Sequence, residues 1–379
     1  MKIGDYCEII SGYAFDSKAF NADGIGTPLI RIRDVGKAGT DTYFEGDFPA
    51  TSVVNDGDFL IGMDGEFRLA QWCGGKALLN QRVCKIVPNE SIVNTKYIMR
   101  LLPAELSFIE DRTSFATVKH LSTKKIKNIE IPLPPLDEQK KIAAILDAAD
   151  ELRQKDKALI AKYDELTQSL FLDMFGEVEA NSMGWEKAQL NQVCQKITDG
   201  EHGTVKRVEQ GNMYLMARNV GKNGIIYDEV SFINQEDHEK IFKRCNPEEG
   251  DLLLVCVGAT IGRCCLVPKS DEFSLARSVA LIKPNRSLLN SDFLLHHFKD
   301  TGFKNQLMNR RNTSAQAGLY TGQIKQLEIA LPPIALQKQF SEYIQSIEEQ
   351  KAKTQETLEK SEHLFNSLLQ KAFKGELTN

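Results

Sequence analysis

Apolar residues recur at alternating steps of three and four in two long stretches of this chain, which is the spacing of a helix that buries one face. Each stretch covers about 40 residues, or about 60 Å of helix. Steps of this kind also form the seam of a coiled coil, so we predict two long helices that pack along such a seam. The seam positions are Ile142, Ile145, Ala149, Leu152, Asp156, Leu159, Tyr163, Leu166 and Leu170 in the first, and Phe340, Tyr343, Ile347, Gln350, Thr354, Thr357, Ser361, Leu364 and Leu368 in the second.

The two predicted helices are copies of each other. The first follows the letters IPLPPLDEQKK, which begin at residue 131, and the second follows IALPPIALQKQ, which begins at residue 329. The register stays constant at 198 residues, without a gap, through both helices. Matching positions include Ile131 and Ile329, Pro134 and Pro332, Gln139 and Gln337, Leu170 and Leu368, and Phe175 and Phe373.

The segment before each helix predicts a strand-rich domain, because short apolar runs alternate with turn signals such as Asp56-Gly57 and Asp64-Gly65. The predicted fold class is α+β, with two similar mixed, strand-rich globular domains and two long helices that form an antiparallel coiled coil. The whole chain is a pseudo-twofold internal repeat. We place the first domain at residues 1–133, the first helix at 134–178, the second domain at 179–331 and the second helix at 332–379.

An antiparallel pairing of the helices puts Asp156 beside Thr354, its equivalent at the 198-residue step. Buried polar residues of this kind can fix the register of a coiled coil. The alternative is that each helix dimerises with another copy of the chain. The predicted helix–helix interface consists of Ile142, Ile145, Ala149, Leu152, Leu159, Leu166, Leu170, Phe340, Ile347, Leu364 and Leu368.

Further apolar residues of the first helix lie off the predicted seam. A stripe this wide indicates a second packing surface, which either a domain of the same chain or a partner protein could cover. We favour a partner. The residues concerned are Leu146, Ile160, Phe171, Met174 and Phe175.

The net charge of −5 does not by itself suggest a nucleic-acid partner. The acidic excess is concentrated in residues 134–180, which hold 6 basic and 11 acidic side chains, so the globular segments are close to neutral. No apolar run is long enough to span a membrane, and no signal-like stretch opens the sequence, so we expect a cytoplasmic protein. The eight cysteines contain no C-x-x-C pair and therefore do not predict a metal site.

The repeated I-x-L-P-P segment at the start of each long helix resembles that of type I restriction–modification specificity subunits. Shorter stretches add to the resemblance: GMDGEF at residues 62–67, ITDGEH at 197–202 and GATIGR at 258–263. The resemblance covers essentially the whole chain. It implies two target-recognition domains that each read one half of a bipartite double-stranded DNA site, with the helices setting the spacing.

The resemblance also implies that the chain binds two methyltransferase subunits and, in systems that restrict, motor-nuclease subunits. One departure bears on this expectation. The second helix begins with Ala335 and Leu336 before its glutamine, where the first begins with Asp137 and Glu138. The two partner surfaces are therefore not expected to be equivalent.

The sequence lacks the motifs of a catalytic subunit. It contains no Asn-Pro-Pro-Tyr or Asp-Pro-Pro-Tyr segment that would hold a flipped adenine, and no Gly-Lys-Ser/Thr loop for ATP. The six histidines show no metal-ligand spacing. We therefore predict a non-catalytic subunit with no cofactor, no metal and no small-molecule substrate.

Reading DNA requires polar and basic side chains on loops, where they can reach base edges and phosphates. For each such residue the alternative is an ordinary solvated or ion-paired surface side chain. Arg33 and Arg218, at matching strand ends, could equally brace the fold. The candidates are Arg68, Gln71, Asn80, Gln81, Arg82, Lys119 and His120 in the first domain, and His202, Thr204, Lys206, Arg207, Thr260, Arg263, Arg277, Arg310, Arg311, Asn312 and Gln316 in the second, where Arg277 is expected to parallel Arg82.

A protein–protein scaffold is the alternative function: two divergent ligand-binding domains on a coiled coil, with no DNA involved. The near-neutral domains are compatible with it. Salt-sensitive retention on duplex DNA distinguishes the two, because neutralising phosphates releases counterions.

Overall fold

A computed structural model describes residues 1–113, 119–269, 272–310 and 318–378 of the chain. It divides into two compact units. The first consists of Met1–Lys157 and Glu356–Asn379, and the second of Ala158–Gln355. Each unit therefore contains one strand-rich domain and one segment of each long helix.

The described residues of the first unit form nine strands in two sheets. One sheet has the order β1-β9-β6-β7 and is antiparallel throughout. The other has the order β2-β4-β3-β8-β5, with β3 and β8 parallel. The strands are β1 (Cys7–Ser11), β2 (Phe20–Asn21), β3 (Thr27–Ile30), β4 (Tyr43–Phe44), β5 (Val53–Val54), β6 (Phe59–Gly62), β7 (Leu69–Gln71), β8 (Ala77–Leu79) and β9 (Val83–Pro88).

The second unit repeats this topology with different loops. Its four-stranded sheet has the order β11-β17-β14-β15, and a three-stranded sheet, β13-β12-β16, again contains one parallel pair. Strands β10 and β18 form a separate pair. The strands are β10 (Lys187–Gln189), β11 (Cys194–Asp199), β12 (Asn212–Leu215), β13 (Ser231–Ile233), β14 (Leu252–Val255), β15 (Cys264–Leu266), β16 (Phe273–Leu275), β17 (Val279–Pro284) and β18 (Glu328–Ala330).

The helices complete the repeat and confirm the predicted α+β fold, with two similar domains and two long helices that pack together. Each long helix begins just after the Pro-Pro pair. It ends before a glycine with positive φ, Gly176 or Gly375, which is the usual way for a helix to stop. The helices are α1 (Thr95–Arg112), α2 (Thr123–Lys127), α3 (Leu136–Phe175), α4 (Leu190–Val193), α5 (Gln235–Cys245), α6 (Ser291–Lys299), α7 (Thr301–Arg310), α8 (Thr321–Lys325) and α9 (Ile334–Lys374).

The long helices pack antiparallel, along a row that keeps some of the predicted seam positions and replaces others. In the first unit the Arg153 guanidinium lies 4.3 Å from the centre of the Phe365 ring, and the Ser361 hydroxyl donates to Asp156 over 3.1 Å. The row runs through these and other buried or half-buried residues. Its members are Ile142, Leu146, Ala149, Arg153, Asp156, Ile160, Tyr163, Thr167 and Phe171 on α3, and Phe340, Ile344, Ile347, Lys351, Thr354, Leu358, Ser361 and Phe365 on α9.

Five predicted interface residues are instead exposed: Ile145 by 37%, Leu152 by 43%, Leu159 by 41%, Leu166 by 49% and Leu364 by 48%. On α3 the residue that follows each of these takes its place in the row: Leu146, Arg153, Ile160 and Thr167. Two of these four replacements are polar, and a count of apolar residues therefore passes over them.

The expected contact between Asp156 and Thr354 is also replaced. Asp156 accepts from Ser361, seven residues further along α9 than Thr354. The Thr354 hydroxyl donates to the carbonyl oxygen of Gln350 in its own helix, over 2.9 Å.

Of the residues expected to bind a partner from off the seam, all but Ile160 pack in the cores of the chain's own units. Leu146 is fully buried in the core of the first unit. Phe171 and Phe175 are each 4% exposed in the core of the second, and Ile160 and Met174 are half-buried. This corrects our preference for a partner on that surface, because the domain of the same chain supplies the apolar contacts.

The glutamine of each helix-start motif joins the helix to its domain. Gln139 is 1% exposed, and its amide donates to the carbonyl oxygens of Ile92 and Pro134 and accepts from the backbone N–H of Asn94. Asn94 in turn caps α1 through its side chain.

In the second unit Gln337 is fully buried and makes the same three bonds, to Leu288, Pro332 and Asn290. Asn290 caps α6. The repeated motif is thus a hydrogen-bonded joint, in which the glutamine amide supplies two donors and one acceptor in both copies.

A buried histidine predicts acid sensitivity of the second unit. His297 is 1% exposed, and neither ring nitrogen has a hydrogen-bond partner among the described residues. Burial lowers its pKa to about 3. The folded chain keeps this imidazole neutral, whereas the unfolded chain protonates it below about pH 6.5. The free energy of unfolding is therefore unaffected by His297 above that pH and falls as the pH decreases from about 6.5 toward 3.

We expect unfolding free energy to fall by about 1.4 kcal/mol per pH unit below pH 6.5 on account of His297. Urea titrations at pH 7 and pH 5 measure this. The variant His297→Leu, which places the residue of the matching position Leu101, should be less acid-sensitive, whereas His363→Gln, on an exposed part of α9, should keep the wild-type slope. Equal slopes in all three proteins would contradict the assignment.

Candidate nucleic-acid interface

Three loops of the first unit meet at Asp64. The His120 Nδ1 atom lies 2.6 Å from one carboxylate oxygen of Asp64, and the Arg82 guanidinium lies 3.2 Å from the other. The Gly65 N–H donates to the carbonyl oxygen of Lys119 and so ties the turn after β6 to the segment before α2. The Arg82 side chain is 54% exposed and that of His120 50% exposed, so both can reach a ligand.

The backbone of Arg82 is held in a conformation that few side chains adopt. Its φ angle is +73°, in the left-handed region. Its carbonyl oxygen accepts from the N–H of Met63, and this bond fixes the strand start against the Asp64 turn. Strain of this kind persists where surrounding bonds enforce it, and it occurs often at binding sites.

The other candidates of the first unit are less available. Asn80 is only 7% exposed, and its side-chain oxygen accepts from the N–H of Gln81, so it shapes the loop and cannot read a base. Lys119 pairs with Glu110 over 3.6 Å and its side chain is 15% exposed. Gln71 donates to the carbonyl oxygen of Gly57. Arg68 and Gln81 are exposed and face solvent.

The second unit has a similar cluster built from other positions. Asp199, at the end of β11, lies 2.7 Å from Nε2 of His202 and 2.8 Å from the guanidinium of Arg244. The side chains of His202 and Arg244 are 56% and 42% exposed. Each domain therefore presents one carboxylate that orients one histidine and one arginine.

The glycine-containing loop after β11 carries the next group of candidates. The Arg207 guanidinium lies 4.1 Å from the centre of the Tyr214 ring and donates to the carbonyl oxygen of Val205. This cation–π contact holds Arg207 in place while leaving it exposed. Thr204 and Lys206 are exposed on the same loop.

The remaining candidates of the second unit lie on three loops. Arg263 donates to Thr260 and to the carbonyl oxygen of Ala217, so its guanidinium is directed back onto the domain. Arg277 is exposed. Arg310 is half-buried, and its carbonyl oxygen accepts from Gln323. Arg311, Asn312 and Gln316 lie outside the described residues.

The backbone corrects one expected equivalence. The N–H of Arg277 donates to Glu201, as that of Gln81 donates to Tyr13 in the first unit. Arg277 therefore matches Gln81, and the residue that matches Arg82 is Ser278, whose carbonyl oxygen accepts from Cys256 as that of Arg82 accepts from Met63. The shift arises because the loops of the two copies differ in length.

Sequence reasoning missed Asp64, Asp199, Arg244 and Tyr214, which hold the basic side chains in place. The D-G-E triplet occurs at both Asp64 and Asp199 and was the available signal. Arginine donates to guanine, and a carboxylate accepts from the amino group of cytosine. Each cluster can thus offer both kinds of group to a base edge, and its histidine can contact a base or a phosphate.

A row of exposed aliphatic side chains follows helix α3. Ile145 and Leu152 belong to the first unit, and Leu159 and Leu166 to the second. They recur at intervals of seven residues, which keeps them on one face of a helix that takes part in a coiled coil. None of the helices that the structure describes is long and apolar enough to cross a membrane.

Comparison with known proteins identifies relatives for nearly the whole chain. The family model described as type I restriction modification DNA specificity domain matches residues 1–162 and 183–361. The specificity subunit of the type I restriction enzyme EcoBI from Escherichia coli is 31% identical over 405 residues, covering 98% of this chain and 84% of that protein. The MjaVIII specificity subunit from Methanocaldococcus jannaschii is 23% identical, covering 97% and 91%.

Solved structures share the fold. The S subunit of a type I restriction–modification system from M. genitalium has a TM-score of 0.57 at 15% identity, over 98% of this chain and 95% of that one. A chain from a structural study of complex assembly and conformational transition in a type I system also has a TM-score of 0.57, at 17% identity, over 100% and 97%.

Proposed function

Because this chain belongs to the family of type I restriction–modification specificity subunits, the DNA-recognition rather than the catalytic component of such systems, we propose that its two domains read two different halves of one bipartite DNA site. The Asp64 cluster contributes to reading one half, and the Asp199 cluster together with the Arg207 loop contributes to the other. The target is duplex DNA in the cytoplasm.

The difference between the two clusters carries the proposal. The four-stranded sheets of the two domains have the same strand order, yet the histidine and arginine that surround the carboxylate come from different loops in each. A shared scaffold with different polar groups at its loops supports recognition of unlike sequences. The scaffold alternative, with no DNA involved, loses its support because the chain belongs to a family of DNA specificity subunits.

The exposed row of α3 is our candidate surface for methyltransferase subunits. Four aliphatic side chains at heptad spacing suit a partner helix, since each inserts between residues of the opposite helix. The matching positions on α9 are Tyr343, Gln350, Thr357 and Leu364, two of which are polar. We infer that the two copies bind their partner subunits unequally and that the α3 row binds more tightly.

Exchange of one domain tests whether each domain reads its own half of the DNA site. Residues 185–333 are replaced by the corresponding domain of another specificity subunit, and the hybrid is expressed with the methyltransferase subunits. We expect methylation to move to a motif that keeps one half of the original site and changes the other. Sequencing of methylated bases measures both halves at once.

The reciprocal hybrid, with residues 1–133 exchanged, is the matched control and should change only the other half. A hybrid in which both halves change would refute independent reading by the two domains. Loss of all methylation is distinguished from misfolding by co-purification of the hybrid with its partner subunits.

A further inference from the structure

The second unit contains a cavity of about 770 Å³, which is within the size range of small-molecule sites. Its walls come from the second half of α3, the first half of α9, the turn between β14 and β15, and the corner between α6 and α7. Among the DNA-reading candidates that the structure describes, Thr260 and Arg263 line it. The basic residues of the lining are Lys222, Arg263, Lys299, Lys304 and Lys351.

The acidic side chains of this cavity are already engaged. Asp164 and Glu348 both pair with Lys351, at 2.5 and 3.8 Å. The carboxylate of Asp300 accepts from the backbone N–H groups of Gly302 and Phe303 at the start of α7. The other four basic side chains have no ion pair with a carboxylate of the described residues, so the cavity has an excess of positive charge.

Several buried polar groups of the cavity walls lack a hydrogen-bond partner or a compensating charge. Burial lowers the pKa of the Lys299 ammonium, because the protein replaces little of its lost hydration. The Nε atom of Arg263 and the Oγ1 atom of Thr167 are buried without a hydrogen-bond partner among the described residues. An anionic ligand would compensate the lysine, and bound ligand or water would satisfy the neutral groups.

The first unit has a larger residue at the position that matches Thr167. Phe365 stands 198 residues after Thr167, and its ring is 8% exposed and covered by the Arg153 guanidinium. Lys351 is the equivalent of Arg153. In the first unit the Phe365 ring therefore fills this space. In the second unit the smaller Thr167 side chain leaves the corresponding space open.

We propose that this cavity binds a small molecule that carries two or more phosphate groups and is about the size of a nucleoside triphosphate. Four basic side chains without carboxylate partners call for more than one negative charge, and phosphate oxygens accept from lysine and arginine alike. Leu172 and Met308, each 37% exposed, provide apolar surface for the rest of the ligand. The lysines of this site are not among the DNA-reading candidates, and its occupation would stabilise the second unit.

Calorimetric titration of the full chain tests the proposal, with ATP and inorganic pyrophosphate as probes and adenosine as the uncharged control. We expect one site for ATP and for pyrophosphate, and none for adenosine. Lys299→Gln and Lys304→Gln should each weaken binding at least tenfold. Thr167→Phe, which installs the residue of the first unit, should abolish it, and Lys240→Gln, exposed on α5, should change nothing.

The absence of binding by both charged probes at about 1 mM, an affinity of about −4 kcal/mol, would overturn the proposal. Unchanged affinity in Lys299→Gln and Thr167→Phe would do the same. If Thr167→Phe fails to fold, Lys304→Gln remains as the test, because Lys304 is exposed and its substitution should not disturb folding. Retention of each variant on duplex DNA is measured in parallel: a loss there, with ATP binding intact, would reassign these lysines to DNA phosphates and leave the proposed function standing.

Discussion

Replacing Leu159 and Leu166 together by aspartate is expected to release the methyltransferase subunits while leaving the chain folded. Both side chains are more than two-fifths exposed, so their replacement removes little packing within the chain. Burying a leucine in an interface contributes about 1.5–3 kcal/mol. Two losses together, with two carboxylates placed in an apolar contact, correspond to a drop in affinity of at least about a thousandfold. Co-purification and sedimentation measure it.

The control is Ala161→Asp combined with Gln168→Asp, which adds the same charge at exposed positions of α3 outside the row. It should assemble normally. Normal assembly of the leucine variant would show that the partners bind elsewhere. Because α9 carries polar residues at two of the matching positions, Tyr343→Asp with Leu364→Asp should weaken assembly less than the α3 variant does.

Replacing Gln337 by leucine is expected to destabilise the second unit by about 3–5 kcal/mol. The substitution keeps the volume but removes three hydrogen bonds. It removes the partner of the Asn290 N–H and of the carbonyl oxygens of Leu288 and Pro332, of which the bond to Pro332 is fully buried. Each unsatisfied group costs about 1–3 kcal/mol. Urea unfolding followed by circular dichroism measures the change.

Gln139→Leu should destabilise the first unit to a similar extent, because its three bonds are the same. Gln355→Leu, on an exposed face of α9, is the control and should change stability by less than about 0.5 kcal/mol. Wild-type stability of both motif variants would mean that the joint is not needed to hold helix and domain together.

The internal repeat made most of the fold predictable, but it did not predict which residues of the long helices are buried. Two copies at a constant 198-residue step identify a domain-plus-helix unit without knowledge of any contact. Half of the seam positions on α3 were placed one residue too early, because Ile145, Leu152, Leu159 and Leu166 form a more apolar series than the residues that follow them. The row that is buried contains Asp156 and Ser361, which are acceptable only because they bond to each other.

The candidate site was predictable in composition but not in arrangement. Loops rich in arginine, histidine and asparagine were identified, and Arg82, His120 and His202 do belong to organised clusters. Which residues face solvent depends on backbone contacts between distant loops. Asn80 is buried for this reason, and Arg244 joins His202 at Asp199 across 45 residues of sequence.

The first compact unit is discontinuous, and this determines the order in which a ribosome can complete the protein. Its core includes Phe365 and Ala372 from the end of the chain, packed with residues such as Ile98 and Leu102 from the N-terminal domain. The second unit lies wholly within residues 158–355 and is fully synthesised before those last side chains emerge. The first unit is therefore completed after the second, and a truncation that removes residues 356–379 takes core side chains from the first unit while leaving the second intact.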